Sequence, residues 1–245
     1  MNIAILAGGI SPERDVSLSS ASLIAAALMR NGNKVYLADV YEGIPESVTI
    51  DGSIFRSDYN YSYKVEETVP DLDAVIAKNG GRKELIGPGI LELCRAADVV
   101  YIGLHGAMGE NGQLQATLDN FNIKYTGSGY VGSLLAMDKD LAKILMGRAG
   151  VPVPTGEVCD PRDPKAKDIA LSVGLPCVIK PCSCGSSVGI SMIDAEDQLD
   201  CALAEAAKWE DKILIEKRIV GRELTVAILD GQGLPPIEII PKSGY

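Results

Sequence analysis

The start of the chain contains the pattern that most restricts its fold. Asn2–Ala7 is a short apolar run that ends at two consecutive glycines, as a buried strand that runs into a loop does. Apolar residues at helical spacing then continue up to Gly32, and Lys34–Val40 is a second apolar run. This order of strand, loop, helix and strand is typical of the opening of a doubly wound α/β sheet. Because ligands of such sheets lie beyond the carboxyl ends of the strands, the loop Gly8–Arg14 is a candidate binding loop.

Composition and charge argue against several classes of function. The chain has 33 acidic and 23 basic side chains and a formal net charge of −10. Nucleic acid and anionic membranes require a basic face, so we expect neither as a partner. No apolar run approaches the ~18 residues of a membrane span, and the N-terminus does not read as a signal peptide. With six cysteines, no Cys-x-x-Cys spacing and one histidine, we expect free thiols, no zinc site and a cytoplasmic location.

The stretch Val178–Gly189, with the sequence VIKPCSCGSSVG, has the features of a phosphate-binding loop. An apolar strand ends at Lys180, whose ammonium can attract phosphate oxygens. Gly185 allows the backbone N–H groups to approach a ligand closely, and Ser186 and Ser187 add hydroxyl donors. The stretch is too irregular for a Walker P-loop, and a plain Gly/Ser turn between two strands is the alternative interpretation.

Two other patterns, a glycine-rich fingerprint and a set of alternating tyrosines, have structural rather than functional interpretations. Gly127–Gly132 matches the GxGxxG dinucleotide fingerprint, but it follows several strands and has no acidic residue about 20 positions on. We therefore interpret its glycines as a domain junction. Tyr59, Tyr61 and Tyr63 alternate, which predicts a half-buried strand or a packed insertion within residues 41–88, with an aromatic binding platform as the further alternative.

A series of short motifs follows in a fixed order along the chain. They are GGISPERDVS at 8–17, LHGAMGENG at 104–112, YTGSG at 125–129, MDKDLAK at 137–143, VPVP at 151–154, VIKPCSCGSSVG at 178–189 and ILIEKRIVGRELTV at 213–226. Together they closely resemble the D-alanine–D-alanine ligases of the ATP-grasp superfamily, outside residues 41–88. The resemblance implies an N-terminal doubly wound α/β domain (the pre-ATP-grasp domain) followed by an ATP-grasp domain that is incomplete at its C-terminus. The domain boundaries that we expect are 1–127, 128–215 and 216–245.

The resemblance also implies how the phosphates of ATP would be held. Lys139 and Lys180 match the two lysines that bind these phosphates. Two ammonium groups can offset the charge of the triphosphate. Gly185 and Ser187 match the loop that surrounds the phosphates. Considered singly, each lysine would be interpreted as a solvated side chain.

The nucleoside would be bound further along the chain. Glu216 and Glu223 match the acidic residues that accept hydrogen bonds from the adenine amino group and the ribose hydroxyls. The backbone from Lys217 to Ile219 matches the hinge that reads the adenine edge. Without the resemblance, Glu223 would be interpreted as a charge on a strand face.

Three further residues match the subsite of the first D-alanine. Glu13 and Ser186 match the catalytic-site carboxylate and serine near this substrate. A carboxylate is suited to this place, because an ammonium that leaves water requires a fixed anion. The alternative for Glu13 is a residue of the first helical turn, favoured there by the helix dipole. His105 is interpreted as a supporting residue of the same subsite, although a lone histidine is more often structural.

The implied activity is the ATP-dependent ligation of two D-alanines through an acyl phosphate, with Mg²⁺ bridging the phosphates and the product used in peptidoglycan synthesis. Ligation of D-alanine to D-lactate or D-serine, and a non-catalytic nucleotide-binding module, are the alternatives. The family's magnesium ligands and lid lie beyond the position that matches Tyr245. We therefore expect an incomplete chain without a metal site, inactive by itself, that comes from a homodimeric protein with D-alanine and ATP as its partners.

Overall fold

The computed structural model describes residues 1–66, 68–185 and 188–240. Two predicted site residues, Ser186 and Ser187, lie outside the described residues. The chain forms two compact units. The first joins Met1–Val151 to Pro181–Gly189, and the second joins Pro152–Lys180 to the chain from Ile190 onward. The domain boundaries expected from the sequence stay a prediction.

The first unit contains a three-stranded parallel sheet and six helices in the part of the chain described. In chain order its elements are β1 (Asn2–Ala7), α1 (Arg14–Arg30), β2 (Lys34–Asp39), α2 (Leu72–Lys78), α3 (Ile90–Ala96), β3 (Val99–Ile102), α4 (Gln113–Asn120), α5 (Tyr130–Met137) and α6 (Lys139–Arg148). The strand order is β2-β1-β3, and Ile3 of the central strand pairs with Val35 on one side and Val99 on the other. The strand–helix–strand opening predicted from the sequence is confirmed.

Helices cover both faces of this sheet. Leu6 of β1 belongs to a buried cluster with Leu93 of α3 and Leu118 of α4. Ile5, its neighbour along the strand, belongs to a second buried cluster with Ala21 of α1. Because consecutive side chains of a strand point to opposite faces, β1 is covered by helices on both sides. This is the doubly wound arrangement that the sequence predicts.

Residues 41–88 contain little regular structure, and the strand considered for the alternating tyrosines is wrong. Residues 59–66 form no strand; instead Tyr59 and Tyr61 contact each other, with ring centroids 4.5 Å apart. The Tyr61 hydroxyl donates a hydrogen bond to the Val35 carbonyl oxygen, at 3.2 Å. The alternation fails as a strand signal because these tyrosines are fixed by hydroxyl and ring contacts rather than by a backbone ladder. Tyr61 packs against a buried cluster of the first unit. That residues 41–88, named the insertion from here on, are inserted into the fold stays a prediction.

The second unit is built around a four-stranded sheet. Its elements are β4 (Gly156–Cys159), α7 (Ala166–Val173), β5 (Cys177–Pro181), β6 (Ser191–Ile193), α8 (Leu199–Ala206), β7 (Ile213–Lys217), β8 (Glu223–Thr225), β9 (Ile228–Leu229), β10 (Gln232–Gly233) and β11 (Ile237–Ile239). The sheet has the order β4-β7-β5-β6, and the pairs β4–β7 and β5–β6 are antiparallel. Ile179 and Ile215 pack in its core with Ala170 of α7 and Leu203 of α8. β8 pairs with β11 and β9 with β10.

All six cysteines are free thiols, as the sequence predicts. A search for a bilayer-spanning helix in the described ranges finds none with the required length and apolar character.

Candidate active site

The loops that follow β1 and β3 meet at one edge of the sheet, because their strands are parallel neighbours. A Cβ atom at Gly106 would lie 2.7 Å from Ser11 Oγ and 2.8 Å from Glu13 Oε2. Gly106 also has a φ of +75°, a conformation that side chains disfavour. Glycine at this position therefore permits both the turn of the loop and its close approach to the Ser11–Glu13 segment.

Ser17 of α1 connects both loops to the helix. Its hydroxyl accepts a hydrogen bond from the Gly8 N–H at 2.9 Å and donates one to the Gly103 carbonyl oxygen at 2.7 Å. Gly8 follows β1, and Gly103 follows β3. Because the Ser17 side chain is buried, these two bonds satisfy backbone groups that water does not reach easily.

Arg14 supports the first loop from within the unit. Its guanidinium donates from Nη1 to the Gly9 carbonyl oxygen at 2.9 Å. Nη2 lies 2.7 Å from Asp39 Oδ2, an ion pair without good hydrogen-bond alignment, and 3.2 Å from Glu42 Oε1. The Arg14 side chain is only 8% exposed. Breaking these contacts would leave a buried charge uncompensated, which is costly. The contacts of Arg14 therefore hold the start of α1 in place.

Glu13 lies at the N-terminus of α1. Its carbonyl oxygen accepts from the Ser17 N–H at 3.0 Å, and its own N–H donates to Ser11 Oγ at 3.1 Å. A Cβ atom at Gly185 would lie 3.4 Å from Glu13 Oε2. The carboxylate is thus bordered by Gly106 on one side and by Gly185, in the predicted phosphate loop, on the other. The structure brings these two predicted site residues, Glu13 and Gly185, together.

His105 lines a small cavity with the loop that follows β1, including Gly8–Ser11. Two contacts shape its own loop. Glu110 Oε2 accepts from the Gly106 N–H at 2.9 Å, and Gln115 Nε2 donates to the Gly109 carbonyl oxygen at 2.6 Å. His105 therefore lies beside the loop that follows β1, and its role toward the first substrate stays a prediction.

Lys139 is held against the predicted phosphate loop. Its N–H donates to the Cys182 carbonyl oxygen at 2.9 Å, and its Nζ donates to the Cys184 carbonyl oxygen at 2.5 Å. Asp138 precedes it as the N-cap of α6, with Oδ1 accepting from the Asp140 N–H at 3.0 Å. Lys139 and the loop before Gly185 are thereby brought together, which the sequence alone does not show. The role of Lys139 toward a nucleotide stays a prediction.

In the second unit, Lys180 and Glu216 form an ion pair between Nζ and Oε1. The two residues lie on the neighbouring strands β5 and β7. The Glu216 side chain is 9% exposed and the Lys180 side chain 21%. A residue predicted to bind phosphate and a residue predicted to bind adenine are therefore in direct contact.

The predicted adenine hinge begins where β7 ends. The Lys217 N–H donates to the Thr155 carbonyl oxygen at 2.8 Å, and the Arg218 N–H donates to the Pro176 carbonyl oxygen at 3.1 Å. These two groups are therefore occupied by the protein itself. Ile219 is 70% exposed, and Glu223 is an exposed residue at the start of β8. Their roles toward a nucleoside stay predictions.

Sequence reasoning missed three residues that organise this site, Arg14, Ser17 and Glu110. All three lie inside the motifs at 8–17 and 104–112, so the motifs signal their positions but not their partners. Throughout 1–66, 68–185 and 188–240, no group of three or more His, Cys, Asp or Glu side chains is arranged to hold a metal ion.

Comparison with known proteins finds one family along the chain. The family model described as the D-ala D-ala ligase N-terminus matches residues 2–128, and the one described as the D-ala D-ala ligase C-terminus matches residues 145–245. The D-alanine–D-alanine ligase of Pediococcus pentosaceus is 36% identical over 248 residues, which cover 100% of this chain and 70% of that protein. The ligase of Halalkalibacterium halodurans is 36% identical over 99% of this chain and 67% of its own length.

Solved structures give the same result. The D-alanine–D-alanine ligase of Bacillus anthracis in complex with ATP aligns with a TM-score of 0.71 and 25% identity, over 98% of this chain and 66% of that one. The ligase of Coxiella burnetii aligns with a TM-score of 0.73 and 26% identity, over 98% of this chain and 71% of that one. The chain thus spans 66% to 71% of the length of these four proteins.

Proposed function

The chain belongs to the D-alanine–D-alanine ligase family, and we propose that it serves the ATP-dependent ligation of two D-alanines. Its relatives are D-alanine–D-alanine ligases by name, and one of them is solved with ATP. The dipeptide D-alanyl-D-alanine would be used for peptidoglycan precursors. In this proposal the protein is cytoplasmic and homodimeric, and its partners are D-alanine and ATP.

The position of the Glu13 carboxylate is the observation that supports this function best. Glu13 lies next to Gly106 and next to Gly185 of the phosphate loop. A carboxylate there would bind the ammonium of an amino acid. It would thereby hold the carboxylate of that amino acid close to a phosphate in the loop.

The reaction that membership of this family implies has two steps. The carboxylate oxygen of the first D-alanine attacks the γ-phosphorus of ATP, the bond to the β-phosphate oxygen breaks, and ADP leaves. The amine of the second D-alanine then attacks the acyl phosphate carbonyl, loses a proton, and inorganic phosphate leaves. Rate enhancement in such a reaction comes mostly from positioning and from neutralising charge.

Each predicted residue has a defined part in this proposal. Glu13 orients the first D-alanine by its ammonium, with Ser186 and His105 in the same subsite. Lys139 and Lys180 reduce the negative charge of the phosphates.

The remaining predicted residues act on the nucleotide. Gly185 and Ser187 border the phosphates. Glu216, Glu223 and the backbone of Lys217 and Ile219 bind the nucleoside, with Lys217 acting through its carbonyl group because its N–H is bonded to Thr155.

Magnesium is included in the proposal as the ion that accompanies ATP and neutralises its phosphate charge. The described residues show no cluster of ligands that fits the ion. We therefore assign no residue of this chain to it and route no step through it.

The experiment is a calorimetric titration of the full chain with D-alanine and, separately, with ATP. Glu13→Gln should weaken D-alanine binding on the order of a hundredfold, because a charged contact in a closed site is lost, and should leave ATP binding unchanged. Glu92→Gln, an exposed carboxylate on α3, is the matched control and should change neither. L-alanine should not bind. Absence of D-alanine binding to the native chain, or equal effects of both variants, would refute the function.

A further inference from the structure

Tyr63 connects the insertion to the first turn of α1. Its hydroxyl donates a hydrogen bond to Asp15 Oδ1 at 2.7 Å. Asp15 is a buried residue two positions after Glu13. Tyr63 belongs to residues 41–88, which lie within the match to the ligase N-terminus at residues 2–128 but contain none of the short motifs of the sequence analysis. The contact therefore links a segment of no assigned role to the helix turn that follows the Glu13 carboxylate.

The first turn of α1 is anchored by three side chains. Arg14 binds Gly9 and Asp39, Ser17 binds the backbone of the two loops, and Asp15 binds Tyr63. Because residues three apart share a helix face whereas successive residues are about 100° apart, Arg14 and Ser17 leave the helix on one side and Asp15 on another. The contacts of Arg14 and Ser17 fix the turn toward the sheet and its loops. The contact of Asp15 is the one directed to the insertion.

The hydroxyl, rather than the ring, gives Tyr63 this role. The residue is 38% exposed, and the contact by which it reaches α1 is the hydrogen bond of its hydroxyl to Asp15. Desolvation, together with the hydrogen bond to Asp15, raises the pKa of Tyr63 to about 12. The hydroxyl therefore keeps its proton, and with it the hydrogen bond, at all pH values near neutrality.

We propose that Tyr63 is a positioning residue that holds the first turn of α1, and through it the Glu13 carboxylate, in place for the first amino-acid substrate. The inference rests on the proposed function where it concerns D-alanine. Tyr63 acts through Asp15 and need not touch the substrate. The insertion then contributes to substrate affinity through its hydrogen bond to the start of α1.

The test compares Tyr63→Phe with Tyr61→Phe in the full chain. Both variants remove one hydroxyl from the same segment, but the Tyr61 hydroxyl donates to the Val35 carbonyl oxygen and not to α1. Amide hydrogen exchange of the peptide that spans residues 11–17 is measured by mass spectrometry. D-alanine and ATP affinities are measured by calorimetry.

Tyr63→Phe should increase exchange in residues 11–17 and weaken D-alanine binding about fivefold, while ATP affinity stays native. Tyr61→Phe should change neither exchange in this peptide nor D-alanine affinity. Asp15→Asn keeps an acceptor oxygen and should retain most of the native affinity. Asp15→Ala should weaken binding, and adding it to Tyr63→Phe should have little further effect, because both remove the same contact.

The outcomes separate this inference from the proposed function. If the native chain does not bind D-alanine, the proposed function fails, and exchange in residues 11–17 then decides whether Tyr63 holds the turn. Unchanged exchange in Tyr63→Phe overturns the inference in either case. So does native D-alanine affinity in Tyr63→Phe, or an equal loss in Tyr61→Phe.

Discussion

Lys180 and Glu216 neutralise each other across two neighbouring strands, β5 and β7. Neither side chain is more than 21% exposed, so water screens the pair only weakly. Removing one partner takes the ion pair away from a partly buried charge, which costs more than the pair itself contributes. A substitution of Lys180 or Glu216 can therefore change both the stability of the fold and nucleotide binding, and the two have to be measured separately.

Lys180→Ala should weaken ATP binding on the order of a hundredfold, because an ammonium near the phosphates is lost. It should also lower the thermal midpoint, since Glu216 loses the ion pair with Lys180. Adding Glu216→Gln should restore much of the midpoint but none of the ATP affinity. Lys167→Ala, which removes a surface ion pair with Asp200, is the control for both measurements. Native ATP affinity in Lys180→Ala would contradict its assignment to the phosphates.

Gly106→Ala tests the close approach of the two loops. A Cβ atom at this position would lie 2.8 Å from Glu13 Oε2 and must displace the carboxylate. D-alanine affinity should fall at least tenfold, whereas ATP affinity should stay native.

Gly80→Ala is the matched control for this change, because Gly80 has nearly the same φ, +74°, but no atom within 4 Å of its Cβ position. Both variants carry the backbone strain of a positive φ, roughly 1 kcal/mol, and both should show it in urea unfolding. A D-alanine affinity that falls equally in both would mean that strain, and not the displaced carboxylate, is responsible.

Stability should fall in alkali because of Cys94. Burial, and to a lesser degree the Glu92 carboxylate, raises the pKa of this thiol to about 12 from an ordinary value of 9.0. The folded protein thus keeps the proton where the unfolded chain loses it. The stabilisation is complete below pH 9 and is lost as the pH rises toward 12.

Between pH 8 and pH 10 the free energy of unfolding should decrease on the order of 1 kcal/mol through Cys94 alone. Urea unfolding at both pH values measures it. Cys94→Ala should show a smaller decrease than the native chain, whereas Cys201→Ala, at an exposed position, should behave as native. Equal pH dependence of the native chain and Cys94→Ala would show that the Cys94 thiol is not responsible.

The sequence predicts the sheet of the first unit well because its signal is local. The apolar run Asn2–Ala7, its two glycines and the following helix are contiguous, and parallel neighbours bring the loops after β1 and β3 together. Contacts over long separations are different. Lys180 and Glu216 are 36 residues apart, and their pairing depends on the neighbouring positions of β5 and β7, which no local pattern encodes.

The same reason explains the tyrosines. An alternation of Tyr59, Tyr61 and Tyr63 looks like a strand because period two is the signature of one. The bond from Tyr63 to Asp15 spans 48 residues and depends on one hydroxyl, so nothing in the local sequence distinguishes it from a strand face. Gly106 is similar: this glycine and the Glu13 carboxylate each lie in a motif, but nothing in the local sequence shows that the two approach each other.

Ser17 gives the two loops a common mechanical behaviour. Because one hydroxyl holds the Gly8 N–H and the Gly103 carbonyl oxygen, the loops after β1 and β3 are attached to the same turn of the same helix. A small translation of α1 along the sheet would carry both of them together. The distance between Glu13 and the loop that carries His105 would then stay nearly constant during thermal motion. The two loops would move together rather than apart.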